Sequence, residues 1–126
     1  MVEGRCNCGQ IKVSIPAIPD QSAICFCSNC RRAGSCAGSI LFPVDKPDVT
    51  IHDAGGNLKT YKDTDTKSGN TVTRKFCGIC GCPVASFLGE EFPKVFVKAG
   101  LFEEFPVPGY KSFEHEKPGW LSIAES

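Results

Sequence analysis

Eight of the nine cysteines in this 126-residue chain fall into three tight clusters: Cys6-x-Cys8, Cys25-x-Cys27-x-x-Cys30 and Cys77-x-x-Cys80-x-Cys82. Thiols one or two residues apart rarely bond to each other. They do present two sulfurs to one ion, and two such pairs make a tetrahedral thiolate cage. Cys6-Asn-Cys8-Gly9 and Cys77-Gly-Ile-Cys80-Gly81 each join two sulfurs to a glycine, which a metal knuckle needs where backbone amides approach the sulfurs and φ turns positive. Cys6, Cys8, Cys77 and Cys80 are expected to form a closed, structural zinc site. Cys25, Cys27 and Cys30 differ, because three ligands share one loop with no matching fourth cysteine nearby. Three protein ligands and an open position are the pattern of a catalytic zinc that can take up water, a substrate oxygen or an external thiolate. The alternatives are a second closed site, completed by Cys36, Cys82 or a histidine, and no metal at all.

Other polar residues carry less. Arg31 and Arg32 follow Cys30 directly, and guanidinium forks suit carboxylates. They are candidates to bind a glutathione-like anionic ligand; the alternative is a pair of solvated arginines. Cys36 and Cys82 stand outside the pairs and read as small buried residues. His52 reads as a surface or core histidine, and His115, in Glu-His-Glu-Lys, as solvent-facing. Arg74 and Lys75 read as solvated strand surface, and Trp120 as closing the core. No Gly-rich phosphate loop, Ser/His/Asp set or His-Glu-x-x-His motif is present.

The elements that must position these groups are short and extended. Residues 10–15 alternate cleanly, with Ile11, Val13 and Ile15 to one side and Gln10, Lys12 and Ser14 to the other. Residues 22–26 form a short apolar run that delivers Cys25 and Cys27. One helical turn is expected over 28–34, with Ser28 as its N-cap and Gly34 as its stop. Further strands are expected at 39–44, 49–52, 58–61, 71–76, 84–88 and 94–99, with an exposed polar loop over 63–70 and an irregular tail. The fold class is therefore mainly β: small antiparallel sheets in one metal-stapled domain over residues 1–126.

Composition narrows the partners. Fourteen basic and 14 acidic side chains balance to zero, without a long basic run. Seven negative thiolates on two divalent ions would leave a net −3, so nucleic acid is not an expected partner. No stretch approaches the roughly 20 apolar residues of a membrane span. The first residues lack the apolar core of a signal peptide. A cytoplasmic, reducing location is expected, where clustered cysteines serve metals or catalysis rather than disulfides.

Taken in order, Cys6–Gly9, Cys25-x-Cys-x-x-Cys-Arg-Arg32 and Phe76-Cys-x-x-Cys-Gly81 resemble the glutathione-dependent formaldehyde-activating enzyme/centromere protein V family. The resemblance spans nearly the whole chain. It implies that family's β-tent fold, with Cys6, Cys8, Cys77 and Cys80 as the structural zinc ligands and Cys25, Cys27 and Cys30 as the catalytic ones. It also implies carbon–sulfur lyase-type chemistry on a thiol–carbonyl adduct such as S-(hydroxymethyl)glutathione or a related small-molecule glutathione conjugate. Two zinc ions per chain and glutathione as cosubstrate follow from it. The competing expectation is a non-catalytic zinc scaffold for protein interaction, with the Phe-rich segment 96–105 as an exposed apolar face. A redox or metal-buffering role, with disulfide formation within 25–36, is a third. The base is not identifiable among Glu90, Glu91, Glu103 and Glu104.

Overall fold

The computed structural model describes residues 1–124. Among them lie ten strands and one α-helix: β1 (Val2–Arg5), β2 (Lys12–Ile15), β3 (Ser22–Cys25), α1 (Ser28–Gly34), β4 (Ser39–Asp45), β5 (Thr50–His52), β6 (Leu58–Asp63), β7 (Val72–Cys77), β8 (Pro83–Phe87), β9 (Lys94–Lys98) and β10 (Pro108–Ser112). The mainly β expectation is met. β1, β2 and β5 form a three-stranded antiparallel sheet, and the other strands form a seven-stranded sheet in the order β10-β3-β4-β9-β8-β7-β6.

The alternation over β2 sets the first sheet against the second. Ile11, Val13 and Ile15 are fully buried and pack with Phe42, Val44, Val84, Ala85, Val95, Val97 and Phe102. Each such side chain contributes roughly 1.5–3 kcal/mol when wholly withdrawn from water. Phe42 and Phe102 meet at 5.6 Å between ring centroids, tilted by 51°. Gly4 is needed where β1 crosses this core, because a Cβ there would lie 2.9 Å from the Leu101 carbonyl oxygen. Ser14, on the other side of β2, is also buried, with its hydroxyl 3.0 Å from His52 Nε2 on the paired strand.

Register divides the larger sheet into two faces. In directly opposed pairs, Phe42 meets Val97 and Val97 meets Ala85, so these point into the core. Leu41 meets Lys98, Phe96 meets Ser86, and Ser86 meets Arg74, so these share the opposite face. Cys25 opposes Ser39 on that second face. The fold thus separates an apolar face from one that carries the chemistry.

Several expectations need correction. The segment expected to be irregular holds a strand, β10, which runs parallel to β3. The strand at 58–61 extends to Asp63, whose carboxylate is drawn inward by Arg74. The helix begins and ends as expected, but Cys27, not Ser28, caps it. The Cys27 sulfur accepts the Cys30 N–H at 3.4 Å, and Ser35 turns left-handed at the far end. Trp120 is 82% exposed and closes no core. The 96–105 segment is no apolar face, because Val97, Ala99, Leu101 and Phe102 are buried and only Phe105 among its phenylalanines stands well out.

Candidate metal centres and the adjoining cavity

Two hairpins build the first centre. Cys6 and Cys8 lie in the β1–β2 turn of the small sheet, while Cys77 ends β7 and Cys80 lies in the β7–β8 turn of the large one. Gly9 and Gly81 follow at φ +80° and +76°, so the two knuckles turn alike. The Ile11 amide donates to Cys6 Sγ at 3.3 Å, and the Ile79 amide donates to Cys77 Sγ at 3.4 Å. All four sulfurs lie within 4.8 Å of one another, with Cys6–Cys8 and Cys8–Cys77 at 3.7 Å. A tetrahedral ion with Zn–S bonds of about 2.3 Å holds sulfurs about 3.8 Å apart, so the donor set fits zinc in both chemistry and spacing. Amides of the Cys8 and Cys82 positions hold the Cys80 thiol down to about 6, a state ready to bind metal at neutral pH.

The second centre lies across the cavity-bearing face. Cys25 ends β3, Cys27 caps α1, and Cys30 sits in its first turn. Their three sulfurs also lie within 4.8 Å of one another, and no fourth metal-binding side chain joins them among the described residues. A hydrogen bond from the Cys30 thiol holds Cys25 at about 6, with further help from the Cys27 backbone. The same bond, with burial, pushes Cys30 far above the ordinary thiol value. The cluster thus favours an anion on Cys25 hydrogen-bonded by Cys30, which suits a divalent cation.

Beside these sulfurs opens a cavity of about 220 Å³. Its floor includes Leu41, Ser86, Phe96, Arg74 and Lys98 from the second face of the large sheet. Lys98 Nζ donates to Ser39 Oγ at 3.0 Å, and Ser39 Oγ donates to the Cys30 carbonyl at 2.7 Å. Burial lowers the Lys98 ammonium below its ordinary value. Arg74, expected to be solvated strand surface, is only 16% exposed in its side chain, and its Nε donates to Asp63 Oδ2 at 2.9 Å. The loop between β6 and β7 forms a wall. Asn29, between Cys27 and Cys30, fastens it twice: its Nδ2 donates to the Asp65 carbonyl at 2.7 Å, and its Oδ1 accepts the Lys67 amide at 3.1 Å.

Arg31 and Arg32 project from α1 into solvent and do not line this cavity. Cys36 and Cys82 join neither centre. Cys36 is exposed and Cys82 half-buried, so the small-buried reading fails for Cys36; both border a separate groove with Phe105 and Trp120. His115 is exposed, 3.7 Å from the Glu116 carboxylate. Lys98, Asn29 and Phe113 were not singled out from sequence. Nothing local marks them, since their partners lie on other strands.

Comparison with known proteins agrees with this geometry. No curated protein sequence matches the chain. The fold is similar to the crystal structure of a Rhodobacter sphaeroides protein, at 21% identity and a TM-score of 0.63, over 82% of this chain and 97% of that one. The profile of the glutathione-dependent formaldehyde-activating enzymes matches residues 1–118, which takes in both cysteine centres and every wall of the cavity. The chain belongs to the glutathione-dependent formaldehyde-activating enzyme family.

Proposed function

We propose that this protein forms or breaks a carbon–sulfur bond between glutathione, or a similar thiol, and a carbonyl compound, with S-(hydroxymethyl)glutathione as the simplest such adduct. Cys6, Cys8, Cys77 and Cys80 would hold a structural zinc ion, and Cys25, Cys27 and Cys30 a second one with a position open to ligand. The observation that carries this reading is the contrast between the centres: four sulfurs close one, while three sulfurs line a cavity in the other. When bound there, zinc supplies a means of keeping a thiol anionic at neutral pH and of polarising a carbonyl oxygen.

The chain's own groups account for the rest. In the forward direction a carbon–sulfur bond forms, and the thiol proton ends on the former carbonyl oxygen; the reverse step undoes both. Lys98, oriented by Ser39, places positive charge near the three cysteines, where oxygen charge develops. Arg74 keeps its charge inside the cavity because Asp63 balances it and offers its remaining N–H donors to a carboxylate. Asn29 holds the wall loop in place and limits water entry. Arg31 and Arg32 would meet only parts of a ligand that reach past the mouth. The clustered thiols suit a reducing compartment such as the cytoplasm. Native mass spectrometry with and without glutathione tests this reading. Two zinc ions and a glutathione complex in the wild type, with one zinc and no complex in Cys27→Ser, are expected. Two zinc ions without a glutathione complex would overturn it in favour of a scaffold.

A further inference from the structure

We propose that the cavity is shaped for adducts whose carbonyl-derived half carries an apolar group, an alkyl or aryl aldehyde in chemical class, rather than for the formaldehyde adduct alone. This rests on the reading above that the site handles thiol–carbonyl adducts.

Register gives the length of the space. Cys25 lies level with Ser39, Lys98 level with Leu41, and Phe96 level with Pro43. Each step along β4 is two residues, about 7 Å, so the floor runs about 13 Å from the cysteine row to the Phe96 row. A methylol group placed at the sulfurs would end well short of that row. What lines the remainder is largely apolar: Leu41 and Phe96 in the floor, with Val72 and Leu88 further along it, while Ser86 and Arg74 share the Phe96 row. Leu41 and Val72 are 8% and 6% exposed, so they are fixed walls. Lys98 lies nearer the sulfurs, and Arg74 is engaged by Asp63. A formaldehyde adduct would leave water against those four apolar side chains. The charged ends of glutathione cannot satisfy them either; their partners are the remaining Arg74 N–H donors and the exposed Lys67.

Phe113 supplies an independent observation. Its backbone is left-handed at φ +56°, an unfavourable state for a bulky side chain. The strain is held on both sides, by the Phe26 amide donating to the Ser112 carbonyl at 3.0 Å and the Glu116 amide donating to the Phe113 carbonyl at 2.9 Å. Strain of this kind collects at ligand clamps, and here it sets an aromatic ring in the cavity wall at the sulfur end, because the preceding Ser112 lies level with Cys25.

Isothermal titration of the zinc-loaded wild type with S-methyl-, S-propyl- and S-hexylglutathione, which are unreactive thioethers, tests the idea. Each buried methylene is expected to tighten binding about fourfold until the space is full. Phe96→Ala and Leu88→Ala should each flatten that dependence. A Kd independent of chain length, or rising with it, would overturn the proposal, and the wild-type series decides this whether or not the variants fold. Turnover of the formaldehyde and hexanal adducts of glutathione is measured in parallel. Turnover of the first with a flat thioether series sinks this inference alone. Graded thioether affinity without turnover of either adduct leaves the apolar subsite standing and sinks the lyase reading.

Discussion

Replacing Asp63 should cost this protein far more than an ordinary surface carboxylate would. Its Oδ2 accepts from Arg74 Nε at 2.9 Å, its Oδ1 accepts from the Asp65 amide at 3.2 Å, and the two paired side chains are 10% and 16% exposed. Asp63→Ala removes a hydrogen bond to a charged group, about 1.5–3 kcal/mol, and a neutral one, about 0.5–1.5 kcal/mol. It also leaves a largely buried guanidinium without its counter-charge. A loss of about 2–4 kcal/mol follows. With unfolding entropy of about 2.1 cal/mol/K per residue, that lowers Tm by about 8–15 °C. Thermal unfolding by circular dichroism at fixed free zinc gives the measurement, since bound metal otherwise shifts Tm by mass action. Arg74→Leu and the double variant complete a cycle, with an expected coupling of about 1.5–3 kcal/mol. Coupling below about 0.5 kcal/mol, the range of exposed ion pairs, would refute the assignment of Arg74 to a protected floor.

Asn29→Ala should release the wall loop: amide hydrogen exchange at residues 64–70 should speed up by about tenfold, the equivalent of about 1.4 kcal/mol, and unchanged protection would count against the latch. Gly38→Ala should displace Cys25, because the new Cβ would lie 2.5 Å from the Cys25 carbonyl oxygen; a loss of about 1–3 kcal/mol and weakened metal binding at the second centre are expected by unfolding and chelator competition. Cys6→Ser should prevent folding at ordinary zinc levels, visible as lost dispersion in the amide NMR spectrum, because metal binding there is folding free energy. Zinc affinity at the second centre should fall as pH falls, and more steeply below about 6. Cys25 is anionic above that value and protonated below it, so one more proton must be displaced per ion; a chelator competition from pH 5 to 8 with no change of slope near 6 would oppose this.

The parts legible in the sequence were those whose cause is local. Alternation at Ile11, Val13 and Ile15 marks a core strand because the side-chain period is two, and those residues are buried. The grouping of sulfurs followed from spacing and from the glycines that let a knuckle turn. What stayed hidden depends on contacts distant in sequence. β10 has a Pro-Gly-Tyr sequence with no strand pattern of its own, and it exists because it lies beside β3. Arg74 looked solvated because its partner Asp63 stands across a hairpin, eleven residues earlier. Cys27 displaced Ser28 as the helix cap because a sulfur already turned toward the cluster also faces the Cys30 amide. Trp120 invited burial by its size, whereas the core is filled by smaller residues already paired across the two sheets.

The parallel seam between β3 and β10 bears on how the protein is made. Cys25, Cys27 and Cys30 emerge together within one short stretch, whereas Cys8 and Cys77 are 69 residues apart. The strand and aromatic ring that finish the wall over the three-sulfur cluster arrive roughly 80 residues after Cys30, which is about 4–16 s later at ordinary rates of synthesis. During that interval three thiols stand ready on the ribosome, open to whatever soft cation is most available. Metal selection at this cluster is thereby exposed to the composition of the cell's labile metal pool before the finished protein can exercise any choice of its own.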